Sequence, residues 1–585
     1  MVANVYHVRL IEQPQPEFDF CRMNKALRYN SILRVLRPST FHILARLLVV
    51  EVTEAQTPIA LVPEISVSPA TLAVDAVRMA YDSHSGKLVL LSMNGNISTV
   101  DVSSGNGRVN VIQTFADHGL RPPALGIAVA PDGTLFIVGN NSSSTPGYNI
   151  GVVKRGKPSG TGGYTWETVF ETVPYPRSGT NYDHNMNGIV ISPDGSTLYV
   201  NSGSRTDHGE VQDGNGAFPG LREVPLTSAI LKIPAVSTDL LLQNDFLFLE
   251  QNGFLFADGV RNSFSLAFDP EGRLYGTENS GDRDDNEELN ILIEGAHYGF
   301  PWRMGQTNTP MQFAGYQPGS DLLLNPQAGA VQGGEFYDDP SFPSPPIGVR
   351  FTDPVKNLGP DADLYRDPIT GQIRDATGNV GGISTFTSHR SPLGLVFDRD
   401  RILTGNYVGD GFVLSWTGPE SPLLAPFTGE GEDLIHLDFV EGSDGKVLHA
   451  RKIAAQFLNP IDAALIGNQL FILEFGNGGR IWKVEFASTV AKENELIPAP
   501  IKVELYPNPA SGTLRFSVIT ERPEMLHINL VGLSGRRIDS IYRGVAPAGR
   551  LEISDYMVGG LPAGVYLLEI NGQYSGQFIQ KVVLL

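Results

Sequence analysis

A short pattern recurs through the middle of this 585-residue sequence: an apolar strand, a turn rich in Asp, Gly and Pro, and a second apolar strand. The clear copies span residues 125–137, 188–200 and 264–275, and weaker copies span residues 76–90, 393–403 and 461–473. Proline presets one backbone angle of such a turn and glycine takes the positive-φ position, so each copy is predicted to form a β-hairpin.

Hairpins repeated at intervals of tens of residues are typical of a β-propeller, with one copy in each blade. The six copies predict an all-β fold, a six-bladed β-propeller over residues 56–490. The long interval between residues 271 and 400 leaves room for a seventh blade or an insertion, and its Pro and Gly content favours an insertion. Residues 65–67 are expected to complete the last blade and close the ring.

The composition argues against several classes of function. Lys and Arg total 43 against 63 Asp and Glu, a net charge of -20, so nucleic acid is not the expected partner. The single Cys excludes a disulfide framework and a Cys-rich metal site. No stretch of sequence reaches the ~20 apolar residues that a transmembrane span requires.

Residues 1–55 have the order of an export leader. Residues 20–50 contain no acid, carry six basic side chains and become apolar from residue 41 onwards. Small residues then flank Glu54, just before Gln56. This order predicts a secretion signal, for which Met23 is a better start than Met1. An amphipathic basic helix is the alternative for the same residues.

Residues 501–585 alternate apolar and polar positions between Gly and Pro, which predicts a small Ig-like β-sandwich after a linker at residues 491–500. Three motifs occur there in order: Tyr-Pro-Asn-Pro at 506–509, Gly-Arg-Arg at 535–537 and Pro-Ala-Gly-Val-Tyr at 562–566. They resemble the type A sorting domain of type IX secretion in Bacteroidetes-type bacteria. The resemblance implies export through the periplasm by the type IX machinery, to the medium or the cell surface, and often later removal of the domain. A generic Ig-like accessory module is the alternative.

Polar residues precede the first strand of several hairpins, and repeat symmetry places these positions on one rim of the ring. They are Arg121, His184, Arg261, His389 and Asn459, with Arg390 adjacent. A concave site with a few convergent polar groups is the default ligand site of a protein. The rim is therefore the predicted functional site.

Four motifs add a family resemblance to this rim. They are His184 before a Pro-Asp-Gly hairpin, Arg261-Asn262 after Gly259, Glu288-Leu289-Asn290, and Tyr298-Gly299-Phe300-Pro301-Trp302. Over roughly residues 70–485 the chain resembles the glucose/sorbosone dehydrogenase family, soluble propellers that use pyrroloquinoline quinone. The resemblance implies a secreted oxidoreductase that oxidises a sugar or polyol hydroxyl by hydride transfer to the quinone.

The resemblance also implies roles for individual residues. His184 matches the general base for the hydroxyl proton, a role that suits a histidine near its free pKa of ~6.5. Arg261 matches the cation over the quinone oxygen, and Asn262 matches a cofactor contact. Ser280 and Gly281 match the positions whose backbone carbonyls bind a calcium ion, which would polarise the quinone.

The sequence departs from the family in its cations. The family has two arginines in the stretch that here reads Leu458-Asn459-Pro460-Ile461-Asp462, and both are absent while the Asp is kept. The cofactor carries three carboxylates, so this loss should weaken binding, at roughly 1.5–3 kcal/mol per charged hydrogen bond. Arg121 and Arg390 are the candidate replacements for cofactor binding. The Gly-Asp that follows the third hairpin in the family reads Gly203-Ser204 here.

Two other functions stay open. A non-catalytic propeller of the same family could bind a glycan or a protein at this rim, with His184 and Arg261 as structural ties between blades. A calcium-dependent lactone hydrolase would need Glu, Asn and Asp side chains along the channel axis, whereas the rim residues are mostly His and Arg. The acidic run at residues 282–288 is more typical of a solvated loop than of a metal site.

Overall fold

The computed structural model describes residues 57–71, 75–102, 107–160, 163–377, 381–442, 445–476, 479–487, 502–520, 522–532, 537–572 and 576–585. The predicted secretion signal and the linker at 491–500 lie outside the described residues. The described chain is all-β, as the sequence predicted. Its α-helices are short: α1 Phe115–His118, α2 Phe246–Gln251 and α3 Gly329–Gln332. None of the helices in these ranges is long and apolar enough to cross a membrane.

The first two sheets follow one another along the chain after two strands, β1 Ile59–Ala60 and β2 Ile65–Thr71, which pair with strands of later sheets. The first sheet pairs its strands in chain order: β3 Arg78–Asp82, β4 Lys87–Leu91, β5 Ile97–Val100 and β6 Val109–Gln113. The second sheet does the same: β7 Ala124–Val129, β8 Leu135–Ser142, β9 Tyr148–Pro158 and β10 Tyr164–Thr172. A short strand, β11 Tyr175–Pro176, pairs with β9.

The third sheet repeats the pattern with β12 Met186–Ile191, β13 Thr197–Ser202 and β14 Ala229–Pro234. The next strand, β15 Leu240–Leu242, joins the second sheet beside β10. The third sheet is then completed by β16 Leu255–Asp258. The fourth sheet contains β17 Ser265–Phe268, β18 Leu274–Glu278 and β19 Glu288–Leu292.

The long interval after β19 contains no strand longer than three residues within the described ranges. Its strands are β20 Arg303–Met304, β21 Thr307–Asn308, β22 Lys356–Asn357, β23 Leu364–Arg366, β24 Ile373–Asp375 and β25 Ile383–Ser384. They form the hairpins β20–β21 and β23–β24, while β22 and β25 add to the edge of the fifth sheet. The interval is therefore an insertion, as its Pro and Gly content indicated.

The fifth sheet contains β26 Pro392–Phe397, β27 Gly411–Ser415, β28 Asp433–Gly442 and β29 Gly445–Ala455, and β1 pairs with β29. The hairpin predicted at residues 393–403 is wrong in its second half, since β27 begins only at Gly411. The reason is Asp398, whose carboxylate accepts backbone hydrogen bonds from Ile402, Leu403 and Gly409. These bonds hold a wide turn that spacing alone does not indicate.

The sixth sheet joins the two ends of the repeat region. It contains β30 Pro460–Ile466, β31 Gln469–Glu474 and β32 Ile481–Phe486, and β2 pairs antiparallel with β32. Ile65 lies opposite Phe486 in this pairing, so the predicted closure by residues 65–67 is confirmed. The first strands of the six sheets also contact one another in a closed cycle: β3, β7, β12, β17, β26, β30 and back to β3.

Arg78 on β3 lies at the centre of this cycle and is buried. Its guanidinium donates to the carbonyls of Leu125 (2.6 Å), Phe264 (2.7 Å) and Asn187 (3.1 Å), which belong to three other sheets. The same group lies 3.5 Å from the ring centre of Phe264. Burial lowers the pKa of Arg78 to about 10, so the side chain is still a cation at neutral pH. One arginine thus ties four sheets together.

Residues 502–585 form two sheets on one apolar core. One sheet contains β33 Lys502–Tyr506, β34 Thr513–Thr520 and β37 Gly549–Met557. The other contains β35 Glu524–Gly532, β36 Arg537–Ala546, β38 Gly564–Gly572 and β39 Gly576–Leu584. Phe516 from the first sheet and Ile528 and Leu568 from the second are buried together in the core. Strand β34 buries apolar residues at alternate positions, as expected of two packed antiparallel sheets, whereas β35 is buried over nearly its whole length.

Candidate active site

His184 stands two residues before β12, held against the end of β13. Its backbone N–H donates to the Ser204 carbonyl (3.0 Å), and the Gly203 N–H donates to the Asn185 carbonyl (2.8 Å). A Cβ on Gly203 would lie 2.5 Å from Cβ of His184, so only glycine allows this approach. The turn also requires a positive φ of 57° at Asn185, a conformation that Asn tolerates better than most residues. The local sequence therefore fixes where His184 points.

The hydrogen bonds of His184 define its tautomer. Nδ1 lies 3.1 Å from the Ser204 carbonyl, which can only accept, so Nδ1 carries the proton and Nε2 keeps the lone pair. The Ser204 hydroxyl, 3.2 Å from Nδ1, donates to the Thr206 carbonyl. Burial, and then the Arg261 cation, lowers the pKa of His184 to about 3. The expectation of a pKa near 6.5 is therefore wrong for this environment, and the imidazole is neutral at physiological pH.

Arg261 reaches the same place from the loop between β16 and β17, and a carboxylate holds it there. Its Nε donates to the Asp207 carbonyl (2.7 Å), and its Nη2 lies 3.0 Å from Oδ1 of Asp207. A third bond runs from Nη1 to the Asn279 carbonyl (3.3 Å). The side chains of Arg261 and Asp207 are both buried. The Ser204 N–H donates to the Arg261 carbonyl (2.7 Å), which joins this loop to the His184 turn.

Asp207 also binds His208, a pair that the sequence analysis did not use. Nδ1 of His208 lies 2.9 Å from Oδ2 of Asp207, and the ring stacks on Phe336 of the insertion at 3.8 Å. Burial would raise the pKa of Asp207, but the His208 hydrogen bond and the Arg261 charge outweigh it and lower the pKa to about 2. Asp207 is therefore ionised and links the rim to the insertion. The sequence contained one signal for Asp207 as a site residue: it lies just past β13, at the end of the sheet that holds His184.

Asn262 lies in a cluster of buried amides beneath the rim. Its Oδ1 accepts hydrogen bonds from Asn187 (2.8 Å) and Asn201 (3.2 Å), and its Nδ2 donates to Oδ1 of Asn279 (3.3 Å). These residues come from the third and fourth sheets. The cluster supports the His184 and Arg261 loops from below, and Asn262 is engaged on both sides of its amide.

Ser280 and Gly281 lie just after β18, separated from it by Asn279. A Cβ on Gly281 would lie 2.9 Å from Oδ2 of Asp207, so glycine is needed for the close approach of that carboxylate. The Ser280 hydroxyl is buried and has no hydrogen-bond partner among the described residues. Within the same ranges, no three or more His, Cys, Asp or Glu side chains are grouped so as to hold a metal ion.

The acidic segment after Gly281 is buried, contrary to the expected solvated loop. Residues 283–290 all lie below the surface. Asp285 pairs with Arg283 (2.5 Å), and Asp284 pairs with Arg366 (2.5 Å) and with His389 (2.8 Å). Burial raises the pKa of Glu287 to about 7. The insertion supplies partners that no short-range pattern reveals.

The two proposed replacement arginines, Arg121 and Arg390, have different surroundings. Arg121 is exposed, and its backbone N–H donates to Asn141 (3.1 Å). Arg390 is buried, and its guanidinium contacts the Asp433 carboxylate (2.6 Å), the Glu430 carboxylate and the Ser415 hydroxyl (2.7 Å). These partners use the donors that a cofactor carboxylate would need. Asn459, the last rim residue, donates to the Trp416 carbonyl (3.4 Å).

Comparison with known families agrees with the motifs. Residues 69–319 match the family described as Glucose / Sorbosone dehydrogenase, and residues 504–585 match the Secretion system C-terminal sorting domain. The chain therefore carries a glucose/sorbosone dehydrogenase domain, which belongs to an oxidoreductase family, and ends in a sorting domain. The sorting domain implies export, with secretion or attachment to the cell surface. No curated protein matches the chain.

Several solved structures are similar to the chain. The aldose sugar dehydrogenase of Streptomyces coelicolor with bound pyrroloquinoline quinone (PQQ) has 18% identity and a TM-score of 0.42. The match covers 73% of this chain and 99% of that protein. The soluble aldose sugar dehydrogenase of Escherichia coli in its apo-form has 14% identity and a TM-score of 0.43, covering 72% and 99%. The PQQ domain of pyranose dehydrogenase from Coprinopsis cinerea in its holo form has 14% identity and a TM-score of 0.44, covering 73% and 96%.

Proposed function

We propose that residues 56–490 form a six-bladed β-propeller that oxidises a sugar or polyol hydroxyl at the rim of its third and fourth sheets. The closed cycle of six first strands supports the blade count. The observation that carries the proposed activity is the environment of His184. Its Nδ1–H is fixed on the Ser204 carbonyl (3.1 Å), which leaves the lone pair of Nε2 for a substrate. Residues 501–585 form the Ig-like sandwich that follows the linker at 491–500.

Oxidation of an alcohol to a carbonyl removes a hydride from carbon and a proton from oxygen. We assign the proton to His184, because a neutral imidazole accepts it at Nε2 while Nδ1 stays on the Ser204 carbonyl. A pKa of about 3 makes His184 a weak base in the resting site. An alkoxide that develops beside the ring would raise this pKa during the step, since a nearby opposite charge favours the protonated imidazole.

The family resemblance implies pyrroloquinoline quinone as the hydride acceptor, with Arg261 and Asn262 as contacts. The described residues do not fit a ligand with three carboxylates in their present pairing. Arg261 is satisfied by Asp207 and Asn279, and Asn262 is engaged by other amides. A second carboxylate lies close by, since burial and then the charge of Asp207 raise the pKa of Asp282, whose backbone N–H donates to Asp207 (3.1 Å). Binding of the quinone would require Arg261 to exchange Asp207 for the ligand.

Calcium fits these residues better than the quinone does. Ser280 and Gly281 would hold it through oxygen atoms, the ligand type that Ca²⁺ takes in proteins. The Ser280 hydroxyl is buried and has no hydrogen-bond partner among the described residues. A bound calcium would add positive charge beside the Asp207 carboxylate at Gly281.

The proposed activity is tested with the purified protein, pyrroloquinoline quinone, calcium and a panel of aldoses and polyols, read by reduction of a dye. Turnover and a cofactor spectrum are expected for the wild type, and His184→Ala should lose ~10²-fold or more of the rate. His84→Ala is the matched control, because His84 is an exposed histidine in the turn between β3 and β4. The proposal fails if the wild type shows neither spectrum nor turnover, or if His184→Ala keeps its rate.

A non-catalytic propeller that binds a glycan at the same rim is the second candidate. The specific observation in its favour is the buried ion pair between Arg261 and Asp207 (3.0 Å), which is a structural tie rather than a free cation. Calorimetry with the same sugar panel separates the candidates. Saturable binding of a sugar without any dye reduction would support the second.

We further propose that export runs through the periplasm and the type IX machinery. The match of residues 504–585 to a secretion-system sorting domain supports this route. The predicted secretion signal within residues 1–55 would supply the first step of the route, and cell fractionation with and without those residues tests it.

A further inference from the structure

The sorting domain inserts one arginine into the dehydrogenase domain. Arg543 on β36 places Nη2 3.1 Å from Oδ1 of Asp363 and Nη1 3.2 Å from Oδ2 of Asp375. Nη2 also lies 3.9 Å from Oε1 of Glu430. Asp363 immediately precedes β23, Asp375 ends β24, and Glu430 lies in the loop between β27 and β28. The two carboxylate bonds thus join residues that are 180 and 168 positions apart in sequence.

The contact is buried rather than a surface ion pair. The side chain of Arg543 is 8% exposed, and those of Asp363 and Glu430 are 0% and 3% exposed. Exposed ion pairs contribute little, whereas a buried carboxylate without a partner is strongly destabilising. Arg543 thus supplies a buried cation to Asp363, whose carboxylate also accepts a hydrogen bond from the Thr377 hydroxyl (2.6 Å).

The other cations near this contact already have acidic partners. Glu430 and Asp433 share Arg390 and Lys452, with Lys452 3.1 Å from Asp433 and 3.9 Å from Glu430. These two cations are already engaged by those two acids. Asp363 and Asp375 add two more carboxylates, and Arg543 is the cation that reaches them both.

The backbone also fits the docked strand. A Cβ on Gly429 would lie 3.1 Å from the Arg543 carbonyl, so glycine lets the β27–β28 loop pack closely on β36. Around this contact a cavity of about 390 Å³ lies between the two domains, with Leu364 and Pro426 on one side and His527 and Tyr542 on the other. His527 lies opposite Arg543 in the pairing of β35 with β36. The close backbone packing and the ion pairs of Arg543 therefore occur at the same contact between the two domains.

We propose that Asp363, Asp375 and Glu430 form a guanidinium-binding pocket in which Arg543 docks the sorting domain, so that the two domains stay associated after the linker between them is cut. Removal of the sorting domain then takes two steps, cleavage of the chain and withdrawal of Arg543. The emptied pocket is a site for another guanidinium ligand, such as an arginine side chain of a peptide. This proposal does not depend on the dehydrogenase chemistry.

The test uses the full chain with a recognition sequence for a site-specific protease in place of residues 491–497. After cleavage the two fragments are separated by size-exclusion chromatography at physiological salt, and their affinity is measured. We expect the wild-type fragments to co-elute and Arg543→Ala to weaken their association roughly tenfold or more. Arg550→Ala is the matched control, since Arg550 is half-exposed and pairs with Glu504 inside the sorting domain (2.8 Å).

Two further measurements keep the outcome clear if Arg543→Ala perturbs the sorting domain. The double variant Asp363→Asn with Asp375→Asn changes only the pocket and should weaken the association to a similar degree. Arginine amide should release the wild-type fragments at a concentration at which lysine amide does not, because only the guanidinium matches two carboxylates with a planar fork. Separation of the wild-type fragments on cleavage would overturn the proposal. So would co-elution of the double variant with wild-type affinity.

Discussion

His184 and His389 stand at corresponding places, just before the first strands of the third and fifth sheets, and their surroundings make them opposite. Nδ1 of His184 faces a backbone carbonyl of Ser204, and burial lowers its pKa to about 3. Nε2 of His389 faces the Asp284 carboxylate at 2.8 Å. Burial lowers the pKa of His389, but the hydrogen bond and the charge of Asp284 outweigh it and raise the pKa. At pH 6.5, the ordinary pKa of histidine, the imidazole of His184 is therefore neutral and that of His389 is mostly protonated.

The arginines beside them differ in the same way. Arg261 is held by one carboxylate and two backbone carbonyls, whereas Arg390 is held by two carboxylates and a hydroxyl. The same two residue types thus have mostly backbone partners at the rim of the third and fourth sheets and carboxylate partners beside the fifth sheet. The hydrogen-bond or ion-pair partner, which comes from a distant segment of the chain, therefore determines the charge state and the role of each histidine and arginine.

Arg390→Met gives the largest effect that this comparison predicts. The change removes the shared cation of Asp433 and Glu430, which leaves Lys452 near both carboxylates and Arg543 3.9 Å from Glu430. Breaking a buried pair costs ~3–5 kcal/mol, so the free energy of unfolding measured by chemical denaturation should fall by about that amount. The control Arg121→Met changes an exposed arginine and should stay within ~0.5 kcal/mol. Equal losses in the two variants would contradict the structural role of Arg390.

Glu287→Gln tests the buried charges near His389 through the pH dependence of stability. Glu287 lies in this region because its carboxylate accepts a hydrogen bond from the Ser391 N–H, just before the fifth sheet. Burial raises the pKa of Glu287 from 4.5 to about 7, so between these pH values the folded state keeps a proton that the unfolded state releases. This group therefore makes the protein less stable as pH rises from 4.5 to 7, by up to ~1.4 kcal/mol per pH unit. The variant should lose that slope in unfolding measured across the pH range. The exposed control Glu294→Gln should keep the slope, and a slope unchanged in Glu287→Gln would refute the assignment.

Ser204→Asp is expected to give the smallest effect. It would place a carboxylate beside His184, as Asp284 lies beside His389. The Ser204 hydroxyl lies 3.2 Å from Nδ1 of His184, so a carboxylate there would stabilise the imidazolium. We expect the pKa of His184 to rise by ~1 unit or more, measured by NMR on histidine-labelled protein. Ser204→Asn has the same size without the charge and serves as the control. Identical titration of His184 in the two variants would show that the residue at position 204 does not control the pKa of His184.

Local turn chemistry made most of the fold predictable. Pro131-Asp132-Gly133 and Pro193-Asp194-Gly195 form the expected turns, with positive φ at both glycines and the Asp side chains accepting backbone hydrogen bonds two residues on. The closing strand at residues 65–67 followed from the requirement that a ring must end where it begins. The all-β fold class and the sorting domain were readable for the same reason, since their signals lie within short stretches.

The site was only partly predictable, because its pairings are long-range. Sequence reasoning brought His184, Arg261 and Asn262 to one rim, and the structure places their loops in contact. It did not find that Asp207 holds Arg261 across 54 positions, since neither residue has a neighbour in sequence that marks the pair. Arg390 looked like a free cation for the same reason, and the burial of residues 283–290 depends on an insertion that carries no repeat.

The proton states of His184 and His389 distinguish the two surroundings most directly, because the pKa of one is lowered and that of the other is raised. NMR titration of histidine-labelled protein, with His184→Gln and His389→Gln used to assign the two resonances, measures both states in one experiment. We predict that His184 stays neutral from pH 8 to about pH 4, and that His389 is protonated at pH 6.5, the ordinary pKa of histidine. Two imidazoles that titrate together near pH 6.5 would contradict the account.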